Sequence, residues 1–259
     1  MLGAPNVGPC IMRALLIALP LLSLPARAHA LDIPPVDYPT LPATAADANG
    51  FVPRGWRIEQ RLDGDLNADR RADLVLVLRQ QDPRNVLEHD GMGISPLDSN
   101  PRLLAIAWAR PDGSYALAAQ NHQLIPRHEY PNLSDVFEDG AGGVSIVRGT
   151  LQVGLYAFSN AGSWATGSTR FTFRWQHDAF ALIGYDDDSM MRNSGQTESV
   201  SINYATAKVR RASGSIETDG EQVRWEKLVS KKRWTLDSIG DGAGVTPLPD
   251  PRPPMGAPR

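Results

Sequence analysis

Cysteine is almost missing from this chain of 259 residues: the one present, Cys10, lies ahead of an apolar leader. That excludes a disulfide framework, a cysteine-based zinc site and a thiol nucleophile in the mature protein. Long apolar runs are missing too, since the leader core Ala14–Leu24 is too short to span a bilayer as a permanent helix. No stretch has the spacing of a long amphipathic helix. Beyond the leader the histidines are His89, His122, His128 and His177, and none stands in a His-x-x-His or HExxH pattern. His122 and His128 are six residues apart across an expected strand end, which favours hydrogen-bonded structural roles over a metal site. There is no Gly-x-Ser-x-Gly elbow. The run Gly140-Ala141-Gly142-Gly143 lacks the lysine and following helix of a phosphate loop and reads as a flexible turn.

The start of the chain has a basic residue at Arg13, an apolar core, and a small-x-small site at Ala28-His29-Ala30. Residues 1–30 are therefore expected to be a secretory signal peptide cut after Ala30, with Met12 as the true start and the periplasm as destination. Removal of Arg13 and Arg27 takes the net charge from −3 to about −5. This argues against nucleic acid or anionic lipid as a partner and is compatible with a basic protein. About 229 residues remain, enough for a real core.

Residues 31–54 hold many Pro and Ala and read as an extended lead segment without a core pattern, and residues 243–259 as a Pro-rich disordered tail. Between them, residues 55–242 are expected to form one all-β domain. Expected strands are 56–62, 74–78, 103–109, 115–119, 144–147, 151–158, 171–175, 180–185, 200–204, 208–211, 223–228 and 234–239. Pro111-Asp112-Gly113, Gly149-Thr150 and His177-Asp178 read as hairpin turns. Such spacing suits a sandwich, barrel or propeller. The segment Asp82 to Asn100 is polar and contains Gly and Pro, so it reads as a surface loop and contact candidate.

What the chain does have is a run of side-chain oxygens at alternate positions: Asp63, Asp65, Asn67 and Asp69, then Asp73, followed at once by the apolar Leu74–Leu78. A tightly wound loop turns such residues inward, and Ca²⁺ takes six to eight hard oxygen ligands. Starting at Asp65, the ligands would be Asp65, Asn67, Asp69, the Arg71 carbonyl and Asp73, with Asp63 acting through water. Starting at Asp63 gives an EF-hand-like or dockerin-like pattern, which lacks the Glu at its twelfth position, where Leu74 stands, and lacks flanking helices. The bland alternative is a solvated acidic turn whose repulsion is relieved by Arg70 and Arg71.

Two other stretches carry chemistry. Asp186-Asp187-Asp188 follows Tyr185 at an expected strand end and reads as a solvated turn, a contact for a basic partner, or a carboxylate pair for glycoside hydrolysis together with Glu198. Ser163-Trp164 sits in a Gly-containing loop whose aromatic is either core or a contact hot spot.

The Asp65-x-Asn67-x-Asp69-x-x-x-Asp73 loop resembles the calcium loops of FG-GAP and integrin-type β-propeller repeats, departing from them at Arg70, where those repeats carry a glycine of positive φ. Together with Gln120-Asn121-His122, Ile125-Pro126-Arg127-His128-Glu129, Ala161-Gly162-Ser163-Trp164, Phe171-Thr172-Phe173-Arg174-Trp175-Gln176, Leu182-Ile183-Gly184-Tyr185-Asp186 and Ser201-Ile202-Asn203-Tyr204, residues 55–242 resemble periplasmic β-propeller-like proteins with one calcium loop. The best understood are immunity proteins of bacteria-killing type IV secretion systems, which inhibit lysozyme-like hydrolases of the glycoside hydrolase family 19 type. The resemblance implies a β-propeller-like domain, one structural calcium, no catalytic residues, a monomer, and a lysozyme-like cell-wall hydrolase as partner. In that reading Ser163, Trp164, Tyr185, Asp186, Asp187, Ser194 and Gly195 contact the partner. Ser194-Gly195 matches only the first half of the Ser-Gly-x-x-Tyr motif of other lysozyme inhibitors. The competing readings are a carbohydrate-acting hydrolase and a calcium-stabilised adhesion or scaffold module.

Overall fold

Residues 31–138, 142–230 and 232–243 are described by a computed structural model. The expected leader, the tail from 244 onward, and Gly140 and Ala141 of the expected glycine turn lie outside them. The architecture is all-β and every strand pairing is antiparallel.

Fourteen strands are present among the described residues: β1 Thr44–Ala45, β2 Trp56–Gly64, β3 Asp73–Gln80, β4 Val86–Leu87, β5 Leu97–Asp98, β6 Arg102–Ala109, β7 Tyr115–Asn121, β8 Gly143–Val147, β9 Thr150–Phe158, β10 Ala165–Gln176, β11 Ala179–Met191, β12 Gln196–Asn203, β13 Lys208–Ser215 and β14 Thr218–Lys227. They form a five-stranded sheet of order β1-β7-β6-β3-β2, a seven-stranded meander from β14 to β8, and the small β4-β5 pair. No closed propeller is formed among the described residues; the two larger sheets are open and share a core. Their edges meet where the Val144 N–H donates to Gln60 Oε1 at 3.0 Å and Gly64 lies against Ile146.

Turn chemistry explains the meander. Arg148 and Gly149 have φ of 51° and 71°, and His177 and Asp178 have 53° and 57°, the left-handed pairs that close two-residue hairpins with the twist of the flanking strands. Alternation then divides the faces. Val153, Leu155, Phe171, Phe173, Tyr185, Val200, Ile202 and Val209 pack with Val75, Val77, Leu104 and Ile106 of the smaller sheet to form the main core.

β3 is buried along both faces. Val75 and Val77 face the main core, while Leu74, Leu76 and Leu78 face a second core with Leu41, Ala48, Phe51 and Trp56. The segment expected to have no core role thus lies over the outer face of the five-stranded sheet. It is extended, as its prolines dictate, so side chains supply the hydrogen bonds that a regular ladder would. Gln120 accepts from the Leu41 N–H at 2.9 Å and donates to the Pro39 carbonyl at 3.1 Å, and Arg127 donates to the Pro34 carbonyl at 2.6 Å. Tyr38 stacks on His122 with centroids 4.1 Å apart.

The expected strand 234–239 is absent. Leu236 and Ile239 are buried in the main core, but only the Ala181–Thr235 bridge joins that segment to a sheet. Burial without a ladder produces the same apolar pattern as a strand. Residues 82–100 are mostly loop, yet Leu97 is fully buried and Asn85, Ser99 and Arg127 tie the segment down.

Candidate calcium loop and binding loops

The β2–β3 hairpin closes at the Gly64–Asp73 pair, so residues 65–72 form its loop. Ala68 and Arg70 have φ of 63° and 68°. Arg70 therefore adopts the left-handed conformation that favours glycine, at a cost of roughly 1 kcal/mol. Asp65 Oδ1 and Asn67 Oδ1 both accept from the Asp69 N–H, at 3.2 and 3.0 Å, so these two oxygens converge on one point. Asp65 Oδ2 accepts from the Arg70 N–H at 2.8 Å. Asn67 donates to Asp69 Oδ2 at 3.2 Å.

Asp73 is fully buried, and its two oxygens accept from the Leu66 N–H at 2.8 Å and the Ala109 N–H at 3.0 Å. It thereby ties the loop to the end of β6. Burial raises its pKa; the two backbone bonds oppose this, and the charges of Asp69 and Asp65 raise it further. Asp69 is held below the usual carboxylate range by the Arg71 backbone N–H, aided by the Asn67 and Arg71 side chains. The Arg71 guanidinium pairs with Asp69 and donates to the Ala109 carbonyl at 3.0 Å. Asp63 stands apart: it lies on β2 and is paired with Arg61 at 2.9 Å, outside the loop.

Of the donors expected for calcium, Asp65, Asn67, Asp69 and Arg71 share one loop, Asp73 opens β3 beside it and Asp63 lies outside, while the Arg71 guanidinium holds the cationic place beside Asp69. Among the described residues no three His, Cys, Asp or Glu side chains form a metal-holding group. That census omits Asn67 and the Arg71 carbonyl, which belong to the expected ligand set.

The expected partner contacts divide. Tyr185 is buried in the core, edge-on to Phe171 with centroids 5.4 Å apart, and is unavailable to a partner. Asp186 to Asp188 do not form a turn at a strand end; β11 runs through them to Met191. The cause is a bulge. Phe173 pairs with Leu182 and Thr172 with Gly184, so Ile183 is skipped and the inward parity moves from Leu182 to Tyr185. Asp186 accepts from Ser201 Oγ at 2.6 Å and Asp187 from Thr169 Oγ1 at 3.1 Å.

Trp164 and Ser163, on the β9–β10 loop, and Ser194 and Gly195, on the β11–β12 turn, are brought to one end of the meander. Arg192, which the sequence did not single out, staples these loops. Its backbone N–H donates to the Trp164 carbonyl at 2.9 Å and its guanidinium to the Ser163 carbonyl at 3.0 Å and to the Ser159 carbonyl at 2.5 Å. The same guanidinium lies 4.3 Å over the Phe158 ring and 5.6 Å from that of Trp164. Trp164 is nonetheless 58% exposed. Gly195 has φ 65°, and its carbonyl accepts from the Ile216 N–H, which adds the β13–β14 turn to this end. His122 and His128 serve structure: one stacks on Tyr38, the other bonds the Leu133 carbonyl at 2.7 Å.

No protein-family model, curated protein or solved structure matches the chain. What it does is therefore argued from its own residues.

Proposed function

We propose that the protein is a periplasmic immunity protein, a non-catalytic inhibitor that binds and blocks a lysozyme-like peptidoglycan hydrolase, with a structural calcium ion in the β2–β3 loop. The observation that carries this reading is Trp164: a large aromatic more than half exposed on a loop that Arg192 holds in place. Rigid exposed aromatics are the commonest interface anchors, because little entropy is lost when they are buried by a partner. Ser163, Ser194 and Gly195 border it, and the acidic balance of the chain suits a basic target. The reading requires no propeller closure, only a rigid β scaffold.

Calcium would be held by Asp65, Asn67, Asp69, the Arg71 carbonyl and Asp73, and would supply the charge that offsets three clustered carboxylates. Arg71 pairs with Asp69, so an ion there would compete with that guanidinium for the carboxylate.

The test is a pull-down of the protein against lysozyme-like hydrolases of its own cell, with lysis of cell walls as readout. Trp164→Ala is expected to weaken the complex by ~2 kcal/mol, roughly thirtyfold, with an unchanged melting temperature. Binding that survives both Trp164→Ala and Ser194→Ala with full strength would remove this end of the meander from the interface.

A further inference from the structure

The outer face of the seven-stranded sheet, opposite the main core, holds a hollow of about 460 Å³ that lies within the size range of ligand sites. The register explains it. One row across six strands reads Tyr156, Ser168, Asp188, Ser199, Ala212 and Val223. Small side chains lie in the middle of the row and large ones at its ends, so the face is troughed. The next row reads Phe158, Thr166, Met190, Thr197 and Gly214, with the larger Met190 at its centre. From β10 to β14 the trough crosses four strand spacings, roughly 19 Å.

We infer that this trough binds a neutral oligosaccharide. Its lining mixes hydroxyls, which donate and accept, with acceptors, Glu198 among them. Ser168, Ser199, Thr166 and Thr197 carry hydroxyls that do both, Asp188 and Glu221 accept, and Arg210 donates. Arg210 spans the row, donating to Ser199 Oγ at 3.3 Å and pairing with Glu221 at 2.5 Å. Arg170 and Arg210 offset part of the charge of Asp186, Asp188, Glu198 and Glu221, and the acidic surplus disfavours a polyanion. A sugar matches this mixture, since every hydroxyl both donates and accepts. Tyr156 supplies an aromatic wall at one end, and Trp225, on the same face beside Arg210 and 64% exposed, supplies another at the opposite edge. Such rings pack against the C–H faces of pyranose rings. Asp188 sits at the centre. Burial, then the charge of Asp186, raises its pKa, and none of the described side chains donates to it. It is nonetheless an exposed acceptor, open to a ligand donor. The site adjoins the Trp164 loops, since Arg192 lies over the Phe158 ring of the second row.

The test titrates the ¹⁵N-labelled full chain with neutral hexasaccharides of the β-1,4-glucan, α-1,4-glucan and β-1,4-linked N-acetylglucosamine types, and separately with a lysine-rich peptide. The expected result is saturable movement of the Ser168, Asp188 and Ser199 amides with at least one hexasaccharide. Ser199→Trp, which fills the trough, is expected to abolish it. Asp188→Asn, which leaves the shape intact and guards against misfolding of the first variant, is expected to weaken it roughly tenfold. If no hexasaccharide moves these amides at millimolar concentration, the inference is overturned. It is overturned equally if only the lysine-rich peptide moves them, or if both variants bind as the parent does.

Discussion

The two larger sheets solve the same problem in opposite ways. The five-stranded sheet is covered on both faces, by the seven-stranded sheet on one side and by residues 38–56 on the other, and its strand β3 is apolar at five successive positions after Asp73, all Leu or Val. The seven-stranded sheet is covered on one face only, and β10, β12 and β13 alternate apolar with Ser, Thr and Arg. A strand buried twice needs no alternation; a strand with one bare face does. The candidate sites follow that division. The β2–β3 loop hangs from the doubly buried β3, where its position is fixed by packing, whereas the trough and the Trp164 loops belong to the sheet that keeps a face in water.

The contrast is broken most severely at the lid. Phe51 is 1% exposed against β3 and β6. Phe51→Ala is expected to cost about 4 kcal/mol, read as a lower urea midpoint with unchanged slope.

Next comes the ion network between the sheets' connections. Arg102, 4% exposed, donates to Glu59 at 2.5 and 3.0 Å and to Asp135 at 2.9 Å, and lies 4.7 Å over the Phe137 ring. Burial opposes ionisation of Asp135, but the Arg102 charge and hydrogen bonds overcome it and hold the pKa below the usual value. A depressed carboxylate contributes stability that is complete above its unfolded pKa of ~3.9 and is lost as pH falls through the lower folded value. Asp135→Asn is expected to cost about 3 kcal/mol at pH 7 and to flatten the acid limb of stability, measured by urea unfolding from pH 7 down to pH 2.

Smaller still is the calcium effect. At a hundredfold excess over its dissociation constant the ion is expected to add ~2.7 kcal/mol, seen as a melting temperature that falls with chelator. Asp69→Ala should remove that response, and Arg71→Ala should enlarge it while lowering the chelated melting temperature. A chelator response unchanged by Asp69→Ala would remove that residue from the ligand set. The smallest effect is expected on the bare face: Trp225→Ala, at 64% exposure, should move stability by less than ~0.5 kcal/mol.

Hairpins were legible because left-handed turn pairs leave a mark in residue choice, as at Gly149 and at His177-Asp178. The β2–β3 loop was legible because alternate oxygens give way at Asp73 to the apolar run of β3. Three features were hidden. The lid's prolines mask the contribution of Leu41, Ala48 and Phe51, because an extended segment has no period to read. The β11 bulge at Ile183 moves the inward parity, which made the acidic run look like a strand end. The trough arises from register among strands far apart in sequence; its only trace is the outward Ser and Thr of β10 and β12.

The seven-stranded meander has a kinetic consequence. Every strand from β8 to β14 pairs with its neighbour in sequence, so each new hairpin closes a short loop onto an edge already formed. The β1–β7 pairing is different: Thr44 must find Ala116 after β2, β3 and β6 are in place. Low contact order on one side and high on the other set an order of assembly, with the meander zipping first and β1 docking last.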